Sequence, residues 1–332
     1  MRGSGRFARS MSPSFRERLL TFRERMLTVR VIACLTLVFV ITQAANAAVL
    51  EVGEGKPLTT PSAAIAKAKD GDTVRVAAGV YKDCATIKQN NLTLEAVGGE
   101  VTMRGKTCDE KAILIVKGSG VTVRGLTLAN ARSMHGNGAG IRVEGTALLV
   151  DSTKFVDNEN GILVANDPKF SIRVIDSVFI GNGQCRPDCA HGIYAGHSAS
   201  LRVERSKFFR QNEGHHIKSR AAVTEIVDCQ IADGPLGTAS VLIDIPNGGT
   251  ILIEGNEMLK GPMSSNPSNT IMIAGEGETN PRGAIVIRNN RFINTMHRGT
   301  DFVNNFGSAP AQLSGNVLTG EVTPLAGAGT VE

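Results

Sequence analysis

VDSTKFVDN (residues 150–158), IDSVFIGN (175–182) and VERSKFFRQN (203–212) are versions of one phrase. Each has an apolar residue, a short polar turn often holding Ser or Asn, then another apolar residue. Outward from these three, the phrase recurs as VRGLTLANA (123–131), VDCQIADG (227–234), IEGNEMLKG (253–261), IRNNRFINT (287–295) and LSGNVLTG (313–320). The second apolar positions, Leu128, Phe155, Phe179, Phe208, Ile231, Met258, Phe292 and Leu318, are 27, 24, 29, 23, 27, 34 and 26 residues apart. A period in this range, built from short β runs bounded by Gly, Asn and Asp with no helical heptads, predicts a solenoid. One coil cannot bury its apolar face alone, so the coils stack into an all-β parallel β-helix.

The rest of the chain divides around this repeat. Its 332 residues are 42% hydrophobic and 20% charged, with a formal charge of +5. That excess sits in residues 1–47, which hold eight of the 36 basic and two of the 31 acidic residues; the remainder carries 28 and 29, a net −1. A nucleic-acid partner therefore has no general basic surface to bind. Residues 1–30 are Arg-rich, residues 31–42 read VIACLTLVFVIT, and Ala45-Asn46-Ala47 supplies a small-x-small cleavage site. This pattern predicts a signal peptide over 1–47, with Met1, Met11 or Met26 as the start, and a periplasmic or secreted product not held in a membrane after cleavage. The β-helix domain is expected over 48–322, with 323–332 as a C-terminal tail, and the protein as a monomer.

In an oxidising compartment cysteines read as structural. Cys84 and Cys108 are 24 residues apart, about one coil, and are placed to pair between adjacent coils. Cys185 and Cys189 would close a small loop, leaving Cys229 as a buried thiol.

Side chains alternate faces along a strand, and equivalent residues of stacked coils lie about 4.8 Å apart, so a site is read as a column. In GIRVE (140–144), GILVA (161–165), GIYAG (192–196), HIKSR (216–220), LIDIP (242–246) and TIMIA (270–274), the second and fourth residues are nearly all apolar and should point inward. The third residues then form an outward column of Arg142, Leu163, Tyr194, Lys218, Asp244 and Met272. His216 and Arg220 are expected on the same strand and face as Lys218, with His191, His197 and His215 at adjoining turns. Residues 191–216 hold four of the six histidines and one of the two tyrosines. The Gly-Asn-Gly stretch at 136–138 is expected as a loop beside the groove. Asn158, Asn182, Asn212, Asn256 and Asn290 read as turn-forming ladder residues, because Asn tolerates left-handed backbone.

These residues resemble known families. The repeat over 49–322 is similar to the right-handed parallel β-helix superfamily of pectate lyases and related carbohydrate enzymes. PSAAIAKAKDGDTVRVAAGVYKD (61–83) resembles the short N-terminal capping helix and first strand of secreted members. EGHHIKSRAAVTEIVDCQI (213–231) resembles the Lys-Ser strand motif of lyases of the chondroitinase B and alginate lyase kind, which implies Lys218 as base, although Asp244 stands where that motif has an arginine. HGIYAG (191–196) is faintly similar to a polygalacturonase element, but only Asp244 supplies a carboxylate beside it, and hydrolysis needs a pair.

The chemistry of the cluster agrees with a lyase. Removing the C5 proton of a uronic acid takes a base, a proton donor for the leaving oxygen, and cations to offset the developing enolate. Lys218, Tyr194, His216 and Arg220 supply those catalytic types; Arg142, His191, His197, Asp244 and His215 are candidates for binding substrate. If Asp244 pairs with Lys218, the lysine becomes an electrostatic stabiliser and Tyr194 or a histidine the base. The expected partner is an acidic polysaccharide. No cofactor is expected; the superfamily admits calcium, but no outward carboxylate cluster converges to bind it. A uronate C5-epimerase and a non-catalytic glycan-binding or structural β-helix accessory to polysaccharide export remain alternatives, and charged outward residues are also what a solvated solenoid face carries.

Overall fold

The computed structural model describes residues 47–332; the expected leader and its alternative starts lie outside the described residues. Ten short strands stack in parallel to form one face of a β-solenoid. They are β1 (Ala85–Ile87), β2 (Ala112–Val116), β3 (Ala139–Val143), β4 (Asn160–Val164), β5 (Ile193–Ala195), β6 (Ile217–Ser219), β7 (Ile243–Ile245), β8 (Asn269–Ile273), β9 (Thr300–Asn305) and β10 (Val322–Gly327). A second sheet of twenty strands makes up the rest of the solenoid wall. The sequence register is observed: Leu128, Phe155, Phe179, Phe208, Ile231, Met258, Phe292 and Leu318 stand opposite one another on successive coils.

The first open end is covered by α1 (Pro61–Lys67). Thr60 caps it, accepting the Ala63 N–H, and Pro61 supplies a first-turn residue that has no N–H to satisfy. Gln89 donates to the carbonyls of Ile65 and Ala68, satisfying the other end. Pro61, Ala64 and Ile65 are the buried face.

Inside, Phe155, Phe179 and Phe208 form a continuous stack with centroids 4.6 and 4.5 Å apart. The facing positions Gly140 and Gly161 make room: a Cβ there would lie 2.7 Å from the Phe155 ring and 2.8 Å from the Phe179 ring. The polar turns turn inward as well. Thr153, Ser177, Ser206, Cys229, Asn256 and Asn290 form a buried column, in which Asn256 and Asn290 each take the backbone N–H of the preceding coil.

The structure corrects three readings of the sequence and bears out the expected cysteine pairing. The interior asparagines are not the left-handed residues; the positive φ falls one position earlier, at Asp157, Gly181, Gly255 and Asn289. This frees Asn158, Asn182, Asn256 and Asn290 to aim inward at carbonyls and N–H groups of neighbouring coils. Asn212 is exposed, because Gln211 takes the interior position above Asn182. Residues 323–332 are not a loose tail: β10 pairs with β9, Gly329–Val331 pairs with Ala311–Ser314, and Val322 and Leu325 pack on the core. Disulfides join Cys84 to Cys108 and Cys185 to Cys189, and Cys229 is a buried free thiol.

Phe179→Ala opens a hole between two rings that cannot close on each other, and should lower the unfolding free energy by about 3–5 kcal/mol in a denaturant titration. Gly161→Ala overfills the same place and should cost about 1–3 kcal/mol.

Candidate functional site

The outward column has the expected register: Arg142, Leu163, Tyr194, Lys218, Asp244 and Met272 are partners on β3 to β8. Arg142, Leu163, Tyr194 and Lys218, with Arg220 just past β6, form the floor of a cleft of about 560 Å³. His191 and His215 line it at the strand entrances. One wall is formed by His135, Gly136 and Asn137, the start of the Gly-Asn-Gly loop; the Cys185–Cys189 hairpin supports it. Gln184 donates to the Gly136 carbonyl at 3.0 Å, and Gly136, at φ +69°, is pressed so close to the Arg186 carbonyl that a Cβ would meet it. Buried Glu159 holds the loop's base by accepting the Ser133 N–H.

On the floor every cation but one is hydrogen-bonded to a carboxylate. Lys218 Nζ lies 3.1 Å from Asp244 Oδ2 and 2.9 Å from Glu276 Oε1. Arg220 donates through Nε to the Tyr194 hydroxyl at 3.0 Å, to Asn247 Oδ1 at 2.8 Å, and through a third nitrogen to Glu276 Oε2 at 2.7 Å. Arg142 is the exception. Its Nε is buried without a hydrogen-bond partner, and Glu144 Oε1, 3.6 Å away, is already engaged at 2.8 Å by Lys111.

The two histidines at the strand entrances, His191 and His215, are neutral. Their rings stack at 4.9 Å, and His191 stacks in turn against Tyr194 at 5.6 Å. The His215 backbone N–H donates to His191 Nδ1, and the Val241 N–H to His215 Nδ1, which leaves the ring protons on Nε2. Burial pushes His215 down to about 3, helped by the cations Lys218 and Lys260. His191 is lowered for the same first reason, with His215, Lys218 and Arg220 adding repulsion. Asp244 is raised by burial, against the pull of Lys218; for Glu276 burial is also the largest single influence, but the hydrogen bonds and charges of Lys218 and Arg220 together outweigh it and lower the group.

Two expected residues stand elsewhere, and a third keeps its place in the column but is buried. His216 is buried, not beside Lys218: strand alternation breaks at the bend before β6, and the side chain turns inward onto the edge of Phe208, with Nε2 2.8 Å from Asp233 Oδ1. His197 is exposed past the end of β5 and outside the cleft. Asp244 lies beneath Lys218 and holds that side chain instead of facing a ligand. Sequence reasoning missed Glu276, Asn247 and the loop residue His135, because they come from loops whose reach a strand register does not give. Among the described residues no three His, Cys, Asp or Glu side chains converge as metal ligands.

Comparison with known proteins agrees with the architecture. A family model described as "Right handed beta helix region" matches residues 173–329. The structure of pectate lyase Pel9A superposes with a TM-score of 0.53 at 14% identity, over 86% of this chain and 77% of that one. The pectin methylesterase from Aspergillus niger gives 0.47 at 12% identity, over 84% and 90%; pectin methylesterase PemA from Erwinia chrysanthemi gives 0.38 at 12%, over 84% and 80%. No curated protein sequence matches the chain. The fold is thus that of the right-handed parallel β-helix proteins, as the repeat and capping helix led us to expect.

The neutral histidines predict an acid sensitivity. An unfolded histidine takes a proton below about 6.5, whereas folded His215 does so only near 3, so the unfolded state binds more protons in between and stability falls as pH falls. The wild-type unfolding free energy, measured in urea between pH 6.5 and 3, should drop more steeply than that of His215→Asn, by up to about 1.4 kcal/mol per pH unit.

Proposed function

We propose that the chain is an exported, carbohydrate-active enzyme, a polysaccharide lyase that cleaves a uronate-containing glycan by β-elimination. The observation that carries this reading is a tyrosine hydroxyl held by an arginine at 3.0 Å on a cleft floor that also presents Lys218 and Arg142. The likeness to a pectate lyase supports the glycan class, and two disulfides support export to an oxidising compartment.

In this reading Lys218 and Arg220 receive the carboxylate of the reacting uronate and offset the charge that builds as C5 loses its proton, while Arg142, three coils away, meets the carboxylate of another sugar of the chain. Lys218 stabilises charge and is not the base, because its ammonium already donates to two carboxylates. Neither histidine serves, since each Nδ1 lone pair accepts a backbone N–H. Tyr194, as phenolate with Arg220 donating to it, takes the C5 proton. The C–H electron pair becomes the C4–C5 double bond, the C4–O4 bond breaks, and O4 takes the proton back from the phenol.

The test is absorbance at about 235 nm, where unsaturated uronates absorb, during incubation with a panel of acidic polysaccharides; Tyr194→Phe should slow the rise by about 10²–10⁴-fold while leaving polymer binding intact. A second reading has one observation in its favour: a lysine over an aspartate on adjacent coils is also an ordinary cross-strand pair of a glycan-binding solenoid. Binding without any rise would favour that reading, unless C5 protons exchange in deuterated water, which would make the protein an epimerase.

A further inference from the structure

Glu276 has no place in the elimination, yet it holds the centre of the site. It comes from the exposed loop that follows β8, and its two carboxylate oxygens are divided between Lys218, at 2.9 Å, and Arg220, at 2.7 Å. That is the arrangement a bound carboxylate would adopt: one anion, two cations, one oxygen to each. The loop is built to keep it there. The Glu276 backbone N–H donates to the Pro246 carbonyl, and Asn280 ties the far side of the loop to the carbonyls of Ala221 and Gly248. Gly275 lies flat over the apolar Met272 and Phe306, with a virtual Cβ at 3.3 Å from Met272 and 3.7 Å from Phe306. The side chain itself remains about half exposed, at 48%, so it can leave without opening the core.

At the other end of the floor Arg142 has the opposite condition. It lies three coils from Lys218 in the same column, about 14 Å at the spacing of stacked strands, and its Nε is buried with no acceptor. One cationic point of the cleft has only a loose 3.6 Å ion pair with Glu144, and the other is closed by two direct contacts to Glu276.

We propose that Glu276 is a resident surrogate for the substrate carboxylate, and that an acidic glycan binds by anchoring at Arg142 and displacing Glu276 from Lys218 and Arg220. The inference rests on the acidic-glycan reading of the cleft. It adds a selectivity to that reading: a single acidic sugar must compete with an anion tethered at an effective concentration of order millimolar, whereas an oligomer already held at Arg142 competes on equal terms. Neutral glycans cannot make the exchange, because freeing Glu276 would leave the largely buried Arg220 without a carboxylate and Lys218 with Asp244 alone.

Titration calorimetry on the full chain separates this from the reading beneath it. The probes are hexasaccharides of galacturonate, mannuronate, guluronate and glucuronate-containing repeats, with fully methyl-esterified hexagalacturonate as the uncharged control. Glu276→Gln should bind at least one acidic hexasaccharide about tenfold more tightly than wild type, as expected if the subsite is free about a tenth of the time. Glu278→Gln, in the same loop but bonded to Ser308 away from the cleft, should change affinity less than about twofold. Equal binding by wild type and Glu276→Gln would overturn the exchange and leave the acidic-glycan reading standing. An equal gain in Glu278→Gln would reduce the effect to loop charge and overturn it too. Equal affinity for the esterified control, or no binding of any probe by either protein, would overturn both.

Discussion

The structure depends on in-register stacking of parallel coils. In a solenoid each residue has the same position of the next coil directly above and below it, about 4.8 Å away, so a column works only if its members tolerate one another as neighbours. Three phenylalanines meet this by stacking face to face, and the buried turn column meets it by handing hydrogen bonds from coil to coil. A slip of one residue would turn every apolar side chain outward and every polar one in. The register is therefore held by the whole length of the core, and the outward column inherits it without needing interactions of its own.

That inheritance explains how the site can be polar and still ordered. Lys218 is placed over Asp244 because Ile217 is placed over Ile243. Charges brought together this way lose hydration, and each must find a partner or change protonation. Both outcomes occur. Lys218 and Arg220 are paired, and the histidines that share their surroundings stay neutral, since a third and fourth positive charge there would go unmatched.

How much of this could be read in advance follows from the same geometry. The columns were legible because period-2 alternation and a repeat length are properties of sequence, and every member from Arg142 to Met272 stands where that reading put it. Loop residues were not: nothing in GEGET (275–279) shows that Glu276 reaches back across two coils. His216 lies between these cases. Alternation alone put it outside, yet its column, Gly140, Gly161, Gly192, His216, Leu242, shows a position facing the core that grows from nothing to a bulky side chain.

That growth shows why the site lies where it does along the solenoid. Below it, large rings at Phe155 and Phe179 face glycines; above it, Ile231 and Met258 replace the rings for two coils before Phe292 restores one, and Leu242 and Thr270 replace the glycines. At the changeover a ring and a bulky residue meet, Phe208 against His216, and the added polarity is absorbed by Asp233, with fully buried Lys260 satisfied by the carbonyls of Ser240 and Asn269. Those carbonyls belong to the segment that leads into β7 and to the first residue of β8, the strands that carry Asp244 and launch the Glu276 loop. The polar core beneath the cleft thus fixes the strands from which both carboxylate partners of Lys218 are delivered, so a change at Lys260 or Asp233 should register at the floor of the cleft although neither side chain lines it.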